Sequence, residues 1–68
     1  MDMRKLVGRN VRRLRTDQGL TQEAFAEASG ISQQYLSGLE RGLRNPTVVT
    51  LYEIATALRV SVEDLVRR

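Results

Sequence analysis

The chain of 68 residues contains no cysteine, no histidine and no tryptophan, and only one proline. Without cysteine it forms no disulfide, and without cysteine and histidine it lacks the usual zinc ligands. Small domains otherwise gain stability from regular helix packing or from oligomerisation, so these two routes remain. The absence of cysteine is also compatible with a reducing cytoplasm, which is the location we expect.

Long apolar runs are absent as well. A membrane-spanning helix needs about 18 or more consecutive apolar residues, and no such run occurs. The first ten residues contain no apolar core of the length found in secretory signals. We therefore expect one domain over residues 1–68 and no membrane partner.

Acidic residues are scarce in two parts of the chain, although the net charge of +3 is modest. Between Gly30 and Tyr52 the only acid is Glu40. Six of the eleven cations lie before residue 16: Arg4, Lys5, Arg9, Arg12, Arg13 and Arg15. This distribution is consistent with a polyanionic partner, although a solvated helix face explains Arg4, Lys5 and Arg9 equally well.

Apolar residues recur at helical spacing and predict five helices, at about residues 3–18, 22–28, 33–40, 48–58 and 62–67. Glycines end the first three helices, and Pro46 disfavours helix at the preceding residue. The apolar stripes of the first and fourth helices are Met3, Val7, Val11 and Leu14, and Val48, Leu51, Ile54, Ala55 and Leu58. No strand pattern or internal repeat is present.

Three of the predicted helices begin in the same way. A hydroxyl residue (Thr21, Ser32 or Ser61) follows an apolar residue and precedes another apolar residue by four positions. The hydroxyl can accept hydrogen bonds from the free N–H groups of the first turn, while the two apolar residues pack together. Asp64 completes a capping-box pattern with Ser61.

The segment from Thr21 to Gly42 is the most informative part of the chain. It predicts two short helices joined by a turn at Gly30, and the second helix opens with polar side chains. A Gln amide offers one donor and one acceptor, which matches adenine N6 and N7 in the major groove. This helix is therefore suited to reading base edges.

These residues resemble the helix-turn-helix domains of Cro and the phage repressors, the XRE-type family, over about residues 6–66. The residues at the positions of the family pattern are Gln22, Ala26, Gly30, Leu36 and Leu39, followed by ERGLRNP and VSVEDL. The resemblance implies an all-α, compact five-helix, lambda-repressor-like fold with helices 2 and 3 as the helix-turn-helix. It also implies a sequence-specific regulator of transcription that binds double-stranded DNA, either a repressor or an autoregulatory controller. ERGLRN and the short length resemble restriction–modification controller proteins.

The resemblance also implies roles for particular residues. The implied base readers are Gln33, Gln34 and Ser37. The implied contacts to the DNA backbone are Gln22, Ser32, Tyr35, Arg41, Arg44, Asn45 and Arg13. Two positions stay open: the Tyr35 ring packs on helix 2 or 4, or its hydroxyl reaches a phosphate, and Gly38 either permits close approach to DNA or makes no contact.

Two structural roles follow from the same resemblance. Arg15 and Glu40 form a buried ion pair, which makes Glu40 part of the fold and not an acid that faces DNA. A homodimer is expected, with an interface formed by Leu58, Val60, Val62, Leu65 and Val66. The alternative is that these five residues all belong to the core of one chain.

The sequence also bears on two other function classes, a protein-interaction module and an enzyme. A protein-interaction module on the same scaffold, such as a bridging factor or an antitoxin that binds a protein partner, is the alternative to a DNA binder. An enzyme is poorly supported, because no metal-ligand cluster, Gly-rich phosphate loop or serine-based catalytic arrangement is present. We expect no cofactor, no metal and no small-molecule substrate.

Overall fold

The computed structural model describes all 68 residues and contains five α-helices and no strand. The helices are α1 (Met3–Asp17), α2 (Gln22–Ser29), α3 (Gln33–Glu40), α4 (Val48–Leu58) and α5 (Val62–Val66). Every predicted boundary lies within one residue of the observed one, and the predicted all-α fold class is confirmed. None of the five helices combines the length and the apolar character needed to cross a membrane.

Hydroxyl side chains begin four of the helices, and the cap of each of the four is one that the sequence predicts. The side chains of Thr21, Ser32, Thr47 and Ser61 each accept a hydrogen bond from the backbone N–H three residues later. At α5 the capping box is complete, because the Ser61 N–H donates to the Asp64 carboxylate at 3.0 Å. That hydrogen bond is the largest of the effects that lower the pKa of Asp64.

The core is assembled from all five helices. Helix α1 packs on α3 and α5, α2 packs on α3 and α4, and α4 packs on α5. The core residues are Val7, Val11, Phe25, Leu36, Leu39, Ile54, Ala55, Leu58 and Leu65. The predicted stripes are wrong at Val48, which is 76% exposed, and at Met3, which is 49% exposed. Both are the first residue of their helix.

Two polar side chains, one within α1 and one directly after it, hold the ends of other helices. The Asn10 amide donates to the carbonyl oxygens of Leu65 at 3.0 Å and Arg67 at 2.7 Å. The Gln18 amide donates to the Leu58 carbonyl at 2.5 Å. Carbonyl groups at helix C-termini have no partner within the helix, so these bonds satisfy groups that would otherwise be unpaired.

The predicted dimer interface needs a correction. Leu58 and Leu65 have no exposed surface at all, because both lie in the core of the single chain. Val60 and Val62 are half-buried and pack against that core. Of the five predicted residues only Val66, which is 36% exposed, keeps a large apolar surface for a partner.

Candidate nucleic-acid interface

A tight turn joins α2 to α3. Gly30 adopts a left-handed conformation (φ 74°), and its N–H donates to the Ala26 carbonyl at 3.0 Å. The Ser29 hydroxyl also donates to Ala26, at 3.3 Å, and accepts from the Ile31 N–H at 3.2 Å. This is the bond back to the helix backbone that a small hydroxyl at position 29 permits. The chain then enters α3 directly through Ser32.

A buried ion pair holds the C-terminal end of α3. Arg15 donates from Nε to Glu40 Oε2 at 2.6 Å and from Nη2 to Oε1 at 3.0 Å. A third donor, Arg15 Nη1, reaches the Leu20 carbonyl at 2.7 Å. The two side chains are only 11% and 3% exposed, and the hydrogen bond to Glu40 raises the pKa of Arg15. This is the pair that the resemblance implies, and it removes the Glu40 charge from the surface of α3.

Gln22 joins the same network. Its amide nitrogen donates to Glu40 Oε1 at 3.1 Å, so the side chain bridges the start of α2 to the end of α3. An amide nitrogen carries two hydrogens, and the second is not engaged by Glu40. The first-turn N–H groups of α2 also have no partner within the helix. Gln22 can therefore hold Glu40 and still offer a donor to an anion.

The main chains of α1 and α3 touch at Gly8. A Cβ atom at Gly8 would overlap the Leu39 carbonyl oxygen and would lie 2.9 Å from the Glu40 carbonyl oxygen. Only glycine permits this approach, because the obstacle is backbone that cannot turn aside. Gly8 was not among the residues predicted from the sequence. The available signal was a lone glycine inside the apolar stripe of a helix.

The first turn of α3 is exposed and polar. Gln33 and Gln34 are exposed, and Ser37 is half-buried. Residues three and four apart share one face of a helix, so Ser37 neighbours both glutamines. The structure thus brings the three predicted base readers together. Ser32 lies just before them, with its hydroxyl bonded to the Tyr35 N–H at 3.1 Å.

Of the predicted backbone contacts after α3, Arg44 is the one that the structure brings to this surface, whereas Asn45 lines a depression beside α1 and α5. Arg41, Arg44 and Asn45 are all exposed. The Arg44 guanidinium carbon lies 5.3 Å from the centre of the Tyr35 ring, within the range of a cation–π contact. Tyr35 is half-buried against the core and shares a shallow depression with Thr50 of α4. Its ring therefore packs towards α4, and a phosphate contact by its hydroxyl stays a prediction.

Arg13 is not brought to the α3 surface. It pairs with Asp17 at 3.9 Å on its own helix. It also lies close enough to Asp64 of α5 to lower the pKa of that group, after the larger effects of the Ser61 hydrogen bonds and the Arg67 charge. Arg15, two residues later and about 200° around the helix, faces α3. Arg13 therefore lies on the α5 side of α1, away from the first turn of α3, and its contact with the DNA backbone stays a prediction.

Known proteins share the sequence pattern of this chain. A helix-turn-helix family model matches residues 11–65. An uncharacterized HTH-type transcriptional regulator of Sinorhizobium fredii, y4dJ, is 68% identical over 66 residues, which cover 97% of this chain and 86% of that protein.

Two solved structures share the fold. The restriction–modification controller protein C.AhdI from Aeromonas hydrophila has a TM-score of 0.88 at 40% identity, over 91% of this chain and 94% of that one. SinR, a master regulator for biofilm formation solved in complex with DNA, has a TM-score of 0.83 at 33% identity, over 87% of this chain and 95% of that one. The chain belongs to the XRE-type helix-turn-helix family.

Proposed function

We propose that this chain is a transcriptional regulator that binds a specific sequence of double-stranded DNA through α3. One observation carries the proposal: the first turn of α3 presents exposed amides, while its opposite face and C-terminal end are buried and fixed. A recognition helix needs this combination, because base contacts require a firmly held helix whose first turn is free to enter the major groove.

In this proposal Gln33 and Gln34 read base edges, with bidentate contacts to adenine as the favoured chemistry. Ser37, half-buried beside them, contacts an adjacent base with its hydroxyl. Ser contacts are less selective than those of Gln, since one hydroxyl serves as donor or acceptor. The two glutamines therefore carry most of the sequence preference.

The contacts that position the domain surround this helix. Arg41, Arg44 and Asn45 bind phosphates after α3, and Gln22 binds one at the start of α2. Ser32 and Tyr35 contact the backbone near the first turn of α3. Such contacts fix register and orientation but carry no sequence information directly.

The electrostatics of this surface support the same assignment. The only carboxylate between Gly30 and Tyr52 is Glu40, which is 3% exposed and paired with Arg15. The charges of Arg41 and Arg44 therefore face solvent with no exposed carboxylate in that segment. Exposed cations without nearby acids attract the phosphate backbone.

The relatives support a regulatory role. The y4dJ protein is an HTH-type transcriptional regulator, C.AhdI is a restriction–modification controller, and SinR has been solved on DNA. We propose that this chain acts as a repressor or autoregulatory controller on DNA in a prokaryotic cytoplasm.

We further propose that the protein binds DNA as a homodimer, since one short helix reads few base pairs. Val66 remains from the predicted interface, and the outward face of α4 adds three apolar side chains. Val48, Val49 and Tyr52 are 76%, 68% and 65% exposed. A Val49→Glu variant is expected to sediment as a monomer at concentrations where the native protein is a dimer. Native protein that stays monomeric at high micromolar concentration and binds a single half-site would contradict the dimer.

The direct test of function is selection of binding sites from random DNA duplexes at a fixed salt concentration. We expect a two-fold-related consensus with half-sites about 34 Å apart, one turn of the DNA helix. No enrichment over random sequence would overturn the proposal and favour a protein-interaction module.

A further inference from the structure

Gly38 lies in the middle of α3, on its outward face. It follows Gln34 by four residues, so both positions point to the same side of the helix. Its backbone is helical, a conformation that any residue adopts. Glycine weakens a helix interior relative to alanine, so its presence here calls for a reason other than backbone geometry.

The reason is the space that Arg44 occupies. A Cβ atom at Gly38 would lie 3.0 Å from Nε and 3.4 Å from Cγ of Arg44. The Arg44 side chain therefore crosses α3 at the point where the glycine lacks a side chain, and its guanidinium then lies over the Tyr35 ring. Gly38 is buried although it faces outwards.

We propose that Gly38 is a positioning residue that holds Arg44 on the outward side of α3, ready to bind a DNA phosphate. This inference rests on the proposed function. None of the ion pairs in the structure involves Arg44. The guanidinium carbon lies 5.3 Å from the centre of the Tyr35 ring, and no carboxylate takes the guanidinium N–H groups, which leaves them for a bidentate phosphate contact.

The backbone of Gly38 anchors the same loop. Its carbonyl oxygen accepts from the Leu43 N–H at 2.9 Å and from the Arg41 N–H at 3.2 Å. Gly38 therefore fixes both the aliphatic part of the Arg44 side chain and the loop from which Arg44 extends. Ordering a long side chain before binding reduces the entropy lost when it meets its ligand.

A double-mutant cycle tests the coupling between the two residues. Dissociation constants are measured for a selected duplex at several salt concentrations with Gly38→Ala, Arg44→Ala and the double variant. We expect each single change to weaken binding by about tenfold, the size of a charged hydrogen bond. The double variant should bind no more weakly than Arg44→Ala alone. Both single variants should reduce the salt slope by about 0.9.

Two controls separate positioning from misfolding and from simple charge loss. Gly38→Ala should melt at or above the temperature of the native protein, because its methyl group displaces only a flexible side chain. Arg68→Ala removes the same charge at the exposed C-terminal end and should change affinity by less than about twofold.

Two results would overturn the inference. A Gly38→Ala effect that persists in full when Arg44 is already alanine would mean that DNA itself needs the space at position 38. Native affinity in Gly38→Ala would mean that Arg44 is not positioned by the glycine.

A measurement without DNA keeps the inference separate from the proposed function. In NMR spectra of the free protein, the Arg44 side-chain protons should be shifted upfield by the Tyr35 ring, and Gly38→Ala should abolish that shift. Unchanged Arg44 shifts in the variant would refute the positioning even if native protein bound no duplex. Failure of native protein to bind DNA, with the shift change present, would count only against the proposed function.

Discussion

The two ends of α3 are built for opposite purposes. At the C-terminal end, Glu40 is 3% exposed, is bonded to Arg15 and Gln22, and lies against the main chain of α1 at Gly8. At the N-terminal end Gln33 is exposed and makes no side-chain hydrogen bond within the chain. The polar groups at the C-terminal end are therefore bonded within the fold, whereas those at the N-terminal end are free to bind a ligand.

This difference determines which substitutions in α3 the fold tolerates. Changes at the buried end disturb the core and every residue that α3 positions. Changes at the exposed Gln33 and Gln34 leave packing untouched, since surface substitutions away from special features usually alter stability little. The same framework can thus carry different base-reading side chains without loss of stability.

The largest expected effect is at the buried end. Glu40→Ala leaves the buried Arg15 guanidinium without its charged partner, which costs roughly 3–5 kcal/mol of folding free energy. A loss of 1 kcal/mol lowers the melting temperature of a domain this small by about 4–8 °C. The melting temperature of the variant should therefore fall by more than about 10 °C, or its unfolding should become non-cooperative. The matched control is Glu53→Ala, which removes an exposed carboxylate on α4.

Melting of Glu40→Ala within about two degrees of the native protein would contradict the role of the pair, since the estimated cost predicts a far larger shift. An equally large loss in Glu53→Ala would mean that charge balance, and not the buried pair, sets the stability.

A somewhat smaller loss is expected at the crossing of α1 and α3. Gly8→Ala places a methyl group against two backbone carbonyls, and overpacking of this kind costs about 1–3 kcal/mol. Gly38→Ala is the matched control, because its methyl group meets only the Arg44 side chain. Chemical denaturation should show Gly8→Ala destabilised and Gly38→Ala not. Equal stability of the two variants would be evidence against the close main-chain contact.

The smallest expected effect on the fold is at the exposed end. Gln33→Ala should leave stability unchanged but weaken binding to a selected duplex by about 1–3 kcal/mol and relax the preference at one base pair. Arg44→Ala, by contrast, should weaken all sequences alike. Competition binding with duplexes altered at single positions separates the two patterns. A Gln33→Ala variant with unchanged preference at every position would remove that residue from the set of base readers.

Much of this fold was predictable because its signals are local. Helix boundaries follow from hydroxyl residues such as Ser32 and Ser61, which act within one turn of their own position. The apolar residues that accompany these caps, Leu36 and Leu65, lie only four positions later. Local rules of this kind need no knowledge of the rest of the chain.

The features that were missed all depend on distant neighbours. Asn10 holds the end of α5, 55 residues away, and nothing beside it in the sequence indicates that partner. The Gly8 contact depends in the same way on how α1 crosses α3. Leu58 and Leu65 were assigned to a dimer because an apolar stripe does not reveal which residues its own core already covers.

In the candidate site, too, the predictable features are local and the others depend on how the helices pack. Gln33, Gln34 and Ser37 share a face that helix geometry alone predicts. The side of α1 on which Arg13 lies depends on the packing of that helix, so the local sequence does not reveal it. The contact of Arg44 with Tyr35 was also not predictable, because it depends on the course of a loop between two helices.

The most direct measurement of the central claim is NMR titration of the native protein with a selected duplex. The account predicts that backbone amide shifts concentrate at the start of α2, along the first turn of α3 and from Arg41 to Asn45, with Glu53 on α4 unaffected. Shifts concentrated on the outward face of α4, with Gln33 and Gln34 unchanged, would contradict the claim that α3 reads DNA.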